Sequence, residues 1–154
     1  MAKITSDRIE ISVMRLPRHE GLDLPMYRSE GSSGMDLQAA VTEDISLLPG
    51  ERALIPTGIA ISLPPGFEAQ VRPRSGLAIE YGVGLINSPG TIDSDYRGEI
   101  QVVMINWGQE PFTIRRGMRI AQLVVCQYAM VRFKVVEELD VTIRNKGGFG
   151  HSGV

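Results

Sequence analysis

An all-β fold, a jelly-roll-like barrel or sandwich, is predicted by three observations. Short apolar or alternating runs recur along the chain, Gly and Pro separate them at close intervals, and helical periodicity is almost absent. Regularly spaced short strands with such punctuation pack as double sheets. The 154 residues fit one domain with a real core, read as 1–154 with no internal repeat and no linker.

The elements follow in order. Ile9, Ile11 and Val13 alternate with polar residues and give a first strand. His19 to Arg28 is a loop carrying Pro25, and its His19 is expected to be solvated. Met35 to Val41 is a short strand, and Ile45 to Leu48 runs into the Pro49-Gly50 turn. Ala53 to Ile55 and Gly58 to Leu63 are strands closed by Pro64-Pro65-Gly66, and Phe67 to Val71 is the next. Leu77 to Tyr81 supplies the one helical turn or two. Val83 to Ile86, Ile100 to Trp107, Phe112 to Ile114, Arg119 to Tyr128 and Val131 to Val136 are strands that complete the core.

Composition excludes several function classes. Hydrophobic residues make up 43% and charged residues 22%, an ordinary globular balance. A net charge of −2 without a basic run argues against nucleic acid or a membrane surface as the main partner. No apolar stretch reaches about 18 residues and no signal pattern opens the chain, so a soluble, cytoplasmic protein is expected. Cys126 lies in an apolar run and is expected to be a buried structural thiol. Two histidines, His19 and His151, without CxxC or HExxH spacing, make a protein-ligated transition metal a poor expectation.

Polar chemistry concentrates in five places. Asn87 to Glu99, NSPGTIDSDYRGE, is a polar cluster at a strand junction. In extended chain Asp93 and Asp95 share a face and Tyr96 points away from Asp93. Alone, the stretch reads as a loop whose aspartates cap turns and whose Arg97 pairs with Asp95 or Glu99. In Ser32 to Leu37, Asp36 either caps a turn or holds water on a metal. Arg72 to Ala78 puts two arginines, Ser75 and Gly76 at a helical start, where backbone N–H groups and Ser75 Oγ suit a phosphate. In Arg116 to Leu123, Gln122 interrupts an apolar strand and needs a partner, in the core or on a ligand. From Arg144 the tail RNKGGFGHSGV has little but Phe149 to bury and is expected to be mobile in the free protein. Gly-Phe-Gly suits a lid that lays an aromatic face on a planar ligand.

Together these segments resemble one family, the trimeric deoxyuridine triphosphate nucleotidohydrolases (dUTPases). Five motifs occur in the family's order: SSGMDLQAA (32–40), RPRSGLA (72–78), INSPGTIDSDYRGE (86–99), RGMRIAQLVV (116–125) and RNKGGFGHSG (144–153). They span Ser32 to Gly153. The resemblance implies a β jelly roll, a homotrimer with sites shared between subunits, and hydrolysis of dUTP to dUMP and pyrophosphate. In the cell this limits uracil incorporation into DNA and supplies dUMP for thymidylate synthesis.

The resemblance also assigns roles. Asp93 matches the carboxylate that activates the water attacking the α-phosphorus. Asn87 matches the uracil reader, with Thr91 and Ile92 beside it, and Tyr96 the ring beneath the deoxyribose that excludes a 2′-hydroxyl. Arg74, Ser75 and Gly76 would hold phosphates from a neighbouring subunit, with Gln122 on phosphate or on a metal-bound water. Mg²⁺ would bind mainly through the triphosphate, with Asp36 touching its waters. Residues 137–154 would form an arm and lid, in which Arg144 and Ser152 clamp the γ-phosphate side while Phe149 and Gly150 cover the uracil.

Two positions depart from the family pattern. Met118 stands where most members have Asp, a position expected to be structural. His151 and Ser152 replace the commoner Ser-Thr; Ser152 keeps a hydroxyl, and His151 is expected to be a tolerated neighbour of the phosphates. Two alternatives compete. A dCTP deaminase of the same superfamily needs a glutamate near the pyrimidine C4, and no extra acidic residue stands in the PRSGLA or Asn87 segments in that arrangement. A regulatory module that only binds dUTP has no use for Asp93, Asp36 and a complete tail motif together.

Overall fold

The computed structural model describes residues 9–148. Eleven strands occur among them: β1 (Ser12–Arg15), β2 (Met35–Gln38), β3 (Ile45–Leu47), β4 (Arg52–Pro56), β5 (Ile59–Ser62), β6 (Phe67–Arg72), β7 (Val83–Leu85), β8 (Gly90–Ile92), β9 (Gln101–Asn106), β10 (Phe112–Ile114) and β11 (Arg119–Gln127). One helix, α1 (Ser75–Tyr81), and a 3-10 turn at Pro17–His19 complete the elements. Every strand pair is antiparallel. The larger sheets run β2-β11-β6-β8 and β4-β9-β7, with β1-β5 and β3-β10 as two-stranded sheets beside them. The all-β expectation holds, and no described helix is long and apolar enough to cross a membrane.

The sheets bury one continuous core. Leu37, Ile55, Leu85, Ile100, Met104, Ile114 and Ile120 are fully buried and come from six strands, Ile100 and Met104 both from β9 or its start. Burial of such a side chain contributes about 1.5–3 kcal/mol relative to exposure. One polar group joins them: Asn106 is fully buried, donates from Nδ2 to the Leu47 and Glu110 carbonyls (2.9 and 2.8 Å) and accepts the Gly108 N–H (2.8 Å). The helix ends at Gly82, which takes a left-handed conformation (φ 68°) and returns its N–H to the Ala78 carbonyl.

Several expectations are corrected. Val131 to Val136 forms no strand and no part of the core. Val131, Phe133 and Val135 are 75, 91 and 95% exposed. Their alternation fits a sheet, but they pair with none of the described strands. A strand needs a neighbour as well as a pattern. Cys126 is half-buried rather than buried, with Arg72 Nη2 4.0 Å from its sulfur. The stretch taken as a continuous polar loop contains β8, which extends the larger sheet through β6.

His19, expected in solvent, is only 3% exposed. Its turn packs under Gly58, whose φ is 71°; a Cβ there would stand 2.9 Å from the His19 backbone. Arg116 clamps the same turn, donating to the carbonyls of Arg18 (2.9 Å) and Glu20 (2.6 Å). His19 Nδ1 is buried without a hydrogen-bond partner among the described residues. Burial first, and then the Arg15 guanidinium, hold the imidazole below its ordinary pKa. The folded state thus refuses a proton that the unfolded chain accepts. This contribution to stability is present at pH above the ordinary imidazole range and is lost on acidification through it. We expect the urea midpoint to fall between about pH 7 and pH 5.5, near the ordinary imidazole pKa. In His19→Gln that part of the slope should disappear. Identical pH profiles for the two proteins would refute a titrating His19.

Candidate active site

The central polar stretch folds around a cavity. β7 ends at Leu85, and the chain turns through a cis Ser88–Pro89 peptide, where Ser88 Oγ donates to the Leu85 carbonyl at 2.9 Å. β8 then pairs with β6, Gly90 opposite Val71 and Ile92 opposite Ala69. The strands leave a pocket of about 220 Å³ with apolar walls from Val71, Leu85 and Val102. Asn87, Thr91, Ile92, Asp93 and Tyr96 all line it. A Cβ on Gly90 would stand 3.1 Å from Asn87 Nδ2, so the glycine leaves room for the Asn87 amide.

Asp93 to Tyr96 is a turn and not extended chain: the Tyr96 N–H donates to the Asp93 carbonyl at 3.1 Å. Two-residue alternation fails there, and Tyr96 lines the same pocket as Asp93 instead of facing away. Arg97 pairs with neither Asp95 nor Glu99. Its Nη1 donates to the Ser94 and Tyr96 carbonyls at 2.7 and 2.8 Å and stiffens the turn. Glu99 is tied to Gly58, whose N–H it accepts at 2.8 Å. An amide, a carboxylate and an aromatic ring around an apolar slot suit a planar heterocycle with hydrogen-bonding edges.

A second cluster lies on the far edge of the same sheet. β2 and β8 are separated by β11 and β6, three strand spacings or about 14 Å. Asp36 on β2 is 8% exposed. Its carboxylate is ringed by Arg74 Nε at 3.2 Å, Arg119 Nη1 at 3.2 Å and Arg28 Nε at 3.5 Å. Arg74 reaches it from the residue before α1 and also donates to the Arg119 carbonyl at 3.0 Å. Gln122 sits on β11 directly opposite Asp36 on one side and Arg72 on the other, so the three share a face. Ser75 and Gly76 are exposed at the start of α1. Three cations around one carboxylate leave an excess of positive charge suited to an oxyanion, and the carboxylate presets their spacing.

The expected residues therefore fall into two groups within one chain. Arg144 joins neither pocket lining; it is exposed and closes a turn with Gly147, donating to its carbonyl at 2.8 Å. Phe149, Gly150, His151 and Ser152 lie outside the described residues. Met118 is half-buried against the core, and its carbonyl accepts the Ala39 N–H at 2.9 Å. Sequence reasoning missed Arg28 and Arg119 as partners of Asp36 and Glu99 as an anchor. Arg119 and Glu99 stand inside quoted motifs, but nothing in the residue pattern reports their contacts. Among the described residues no group of three or more His, Cys, Asp or Glu could hold a metal. The arginines also occupy Asp36, so the described residues offer no metal cage of their own.

The sequence and the fold have close counterparts. The dUTPase family model matches residues 20–153. The deoxyuridine 5′-triphosphate nucleotidohydrolase of Rhizobium johnstonii is 54% identical over 146 residues, 94% of each chain. That of Caldanaerobacter subterraneus subsp. tengcongensis is 54% identical over 95% of this chain and 99% of its own. Among solved structures, the Staphylococcus bacteriophage 80alpha dUTPase with dUPNHPP superposes with a TM-score of 0.85 at 26% identity, over 94% of this chain and 99% of that one. A mutant dUTPase of the S. aureus phage phi11, described as coordinating a structural Mg(II) ion, reaches 0.75 at 24% identity over 84% of this chain and 98% of its own, a likeness of fold. The chain belongs to the dUTPase family.

Proposed function

We propose that the chain hydrolyses dUTP to dUMP and pyrophosphate. The observation that carries this reading is the pocket in which Asn87, Asp93 and Tyr96 meet. Asn87 would pair the O4/N3 edge of uracil, with Thr91 and Ile92 against the ring. The narrow slot would leave no room for a thymine 5-methyl, and the amide would mismatch cytosine. Tyr96 would lie beneath the deoxyribose. Asp93, exposed beside the pocket, would take the proton of the water that attacks the α-phosphorus. Arg74, with Ser75, Gly76 and Gln122, would bind the phosphates.

The two clusters stand on opposite edges of one sheet, and a homotrimer would join them across subunits. The exposed alternation of Val131, Phe133 and Val135 supports this, because so much apolar surface favours a second copy as partner. The arm 137–154 would then cross to a neighbouring site, with Arg144 and Ser152 on the γ-phosphate side and Phe149 and Gly150 over the uracil. Magnesium fits as the counter-ion of the nucleotide and not as a resident of a protein cage. Asp36 would meet its waters once the arginines turn to phosphate. When bound, the ion would neutralise the triphosphate. The product would feed thymidylate synthesis, and removal of dUTP would limit uracil in DNA.

Pyrophosphate release with Mg²⁺ should be fast on dUTP and weak on dTTP, dCTP and UTP. Comparable turnover of dCTP or dTTP would sink the pocket assignment. Mixing Asp93→Asn with Arg74→Ala protein, each inactive alone, should recover part of the activity if sites are shared. No recovery after subunit exchange would remove the sharing.

A further inference from the structure

We propose that Glu99 is a positioning residue for sugar discrimination, holding the Tyr96 ring in place. The inference rests on the dUTP reading above. Glu99 stands three residues beyond Tyr96 and is half-buried. It makes two contacts of different kinds. Its carboxylate Oε1 accepts the Gly58 N–H at 2.8 Å, and its backbone carbonyl accepts the Tyr96 hydroxyl at 3.0 Å. The first contact fixes the residue, and the second uses that fixed residue to fix the phenol.

The anchor itself is held from several directions. Gly58 lies in the turn between β4 and β5, and its carbonyl accepts the Leu16 N–H at 2.8 Å. The Thr57 hydroxyl donates to the Ile100 carbonyl, and the Ile100 N–H donates to Ile59 at 2.8 Å. The His19 turn closes over Gly58 from outside. The support of Tyr96 therefore reaches back to residues 16–19, a segment with no site motif.

Gly98 completes the arrangement. A Cβ there would overlap Tyr96 Oη and stand 2.6 Å from Cζ. Its φ is not in the left-handed region, so the lack of a side chain serves the ring and not the backbone. With its O–H donated to Glu99, Tyr96 offers ring surface to a sugar and has no hydroxyl hydrogen left to donate to a ribose 2′-OH. Rejection of one extra hydroxyl by such a surface demands placement to within about 0.5 Å, which a loop tyrosine lacks without a lock.

The test is kcat/KM on dUTP and on UTP for wild type, Glu99→Ala, Glu99→Gln and Gly98→Ala, with Tm measured for each. Glu99→Ala should lower the dUTP-over-UTP ratio by about tenfold, the factor one hydrogen bond carries. Glu99→Gln should keep the ratio, because its amide oxygen accepts the same Gly58 N–H. Gly98→Ala should lower it with the Gly58 contact intact, and it keeps the test open if Glu99→Ala does not fold. A folded Glu99→Ala with the wild-type ratio would overturn the proposal, as would Glu99→Gln failing as badly as alanine. If wild type prefers dUTP and no variant changes that preference, the positioning role falls and the dUTP reading stands. If wild type does not turn over dUTP, both fall.

Discussion

Asp93→Asn should lower kcat on dUTP by about a hundredfold to ten-thousandfold, the range a positioned general base supplies. The substitution keeps the shape of the side chain and removes its capacity to take a proton. The groups that line the pocket with it, Asn87 and Tyr96, are untouched. The turn survives as well, because the Tyr96 N–H bonds the Asp93 backbone carbonyl and not its carboxylate. Affinity for a non-hydrolysable dUTP analogue should therefore change little. The check is single-turnover rate and analogue Kd measured on the same preparation. A Kd that weakens in step with the rate would make Asp93 a binding group and would leave the base unassigned.

Asn106→Leu should cost the fold about 3 kcal/mol or more, because it strips partners from three backbone groups at about 1–3 kcal/mol each. The wild-type amide donates to the Leu47 and Glu110 carbonyls and accepts the Gly108 N–H, all at 2.8–2.9 Å. It thereby joins the end of β9 to β3 and to the following turn. No slack exists to absorb the loss. A Cβ on Gly82 would stand 2.8 Å from the Gly108 backbone, and one on Gly108 would overlap the Tyr81 carbonyl. Leucine has the same branching and number of side-chain heavy atoms as asparagine and leaves no cavity, so the cost comes from the lost hydrogen bonds and from fitting two bulkier methyl groups. Urea unfolding measures it. A loss under about 1 kcal/mol, the net worth of one ordinary hydrogen bond, would show that water reaches these groups.

Most strands were legible because each carries its own record. Burial follows the apolar runs, and turns fall at Pro49-Gly50 and Pro64-Pro65-Gly66. β8 was not legible: Gly90-Thr91-Ile92 is too short and too polar to show a period, and its partner β6 is about twenty residues away in sequence. Val131 to Val136 fails in the opposite sense, since the pattern is present and no described strand lies beside it. Periodicity also misplaced Tyr96, because one backbone hydrogen bond turned extended chain into a tight turn.

The site divides in the same way. Asn87, Asp93 and Arg74 were named through the order of five motifs, since no local pattern separates a catalytic aspartate from one that caps a turn. Asp36 stands in a motif too, but its ring of Arg28, Arg74 and Arg119 comes from three separate segments, two of them far away in sequence. His19 was misjudged for the same reason, its burial being made by Gly58 and Arg116. Contacts made across the fold leave no trace in the spacing of the residues that make them.

The most direct measurement is the fate of solvent oxygen when the protein turns over dUTP in heavy-oxygen water with Mg²⁺. Attack of an Asp93-activated water on the α-phosphorus puts the label in dUMP and leaves pyrophosphate unlabelled. Label in the pyrophosphate, or release of phosphate in its place, would contradict that chemistry at its first bond.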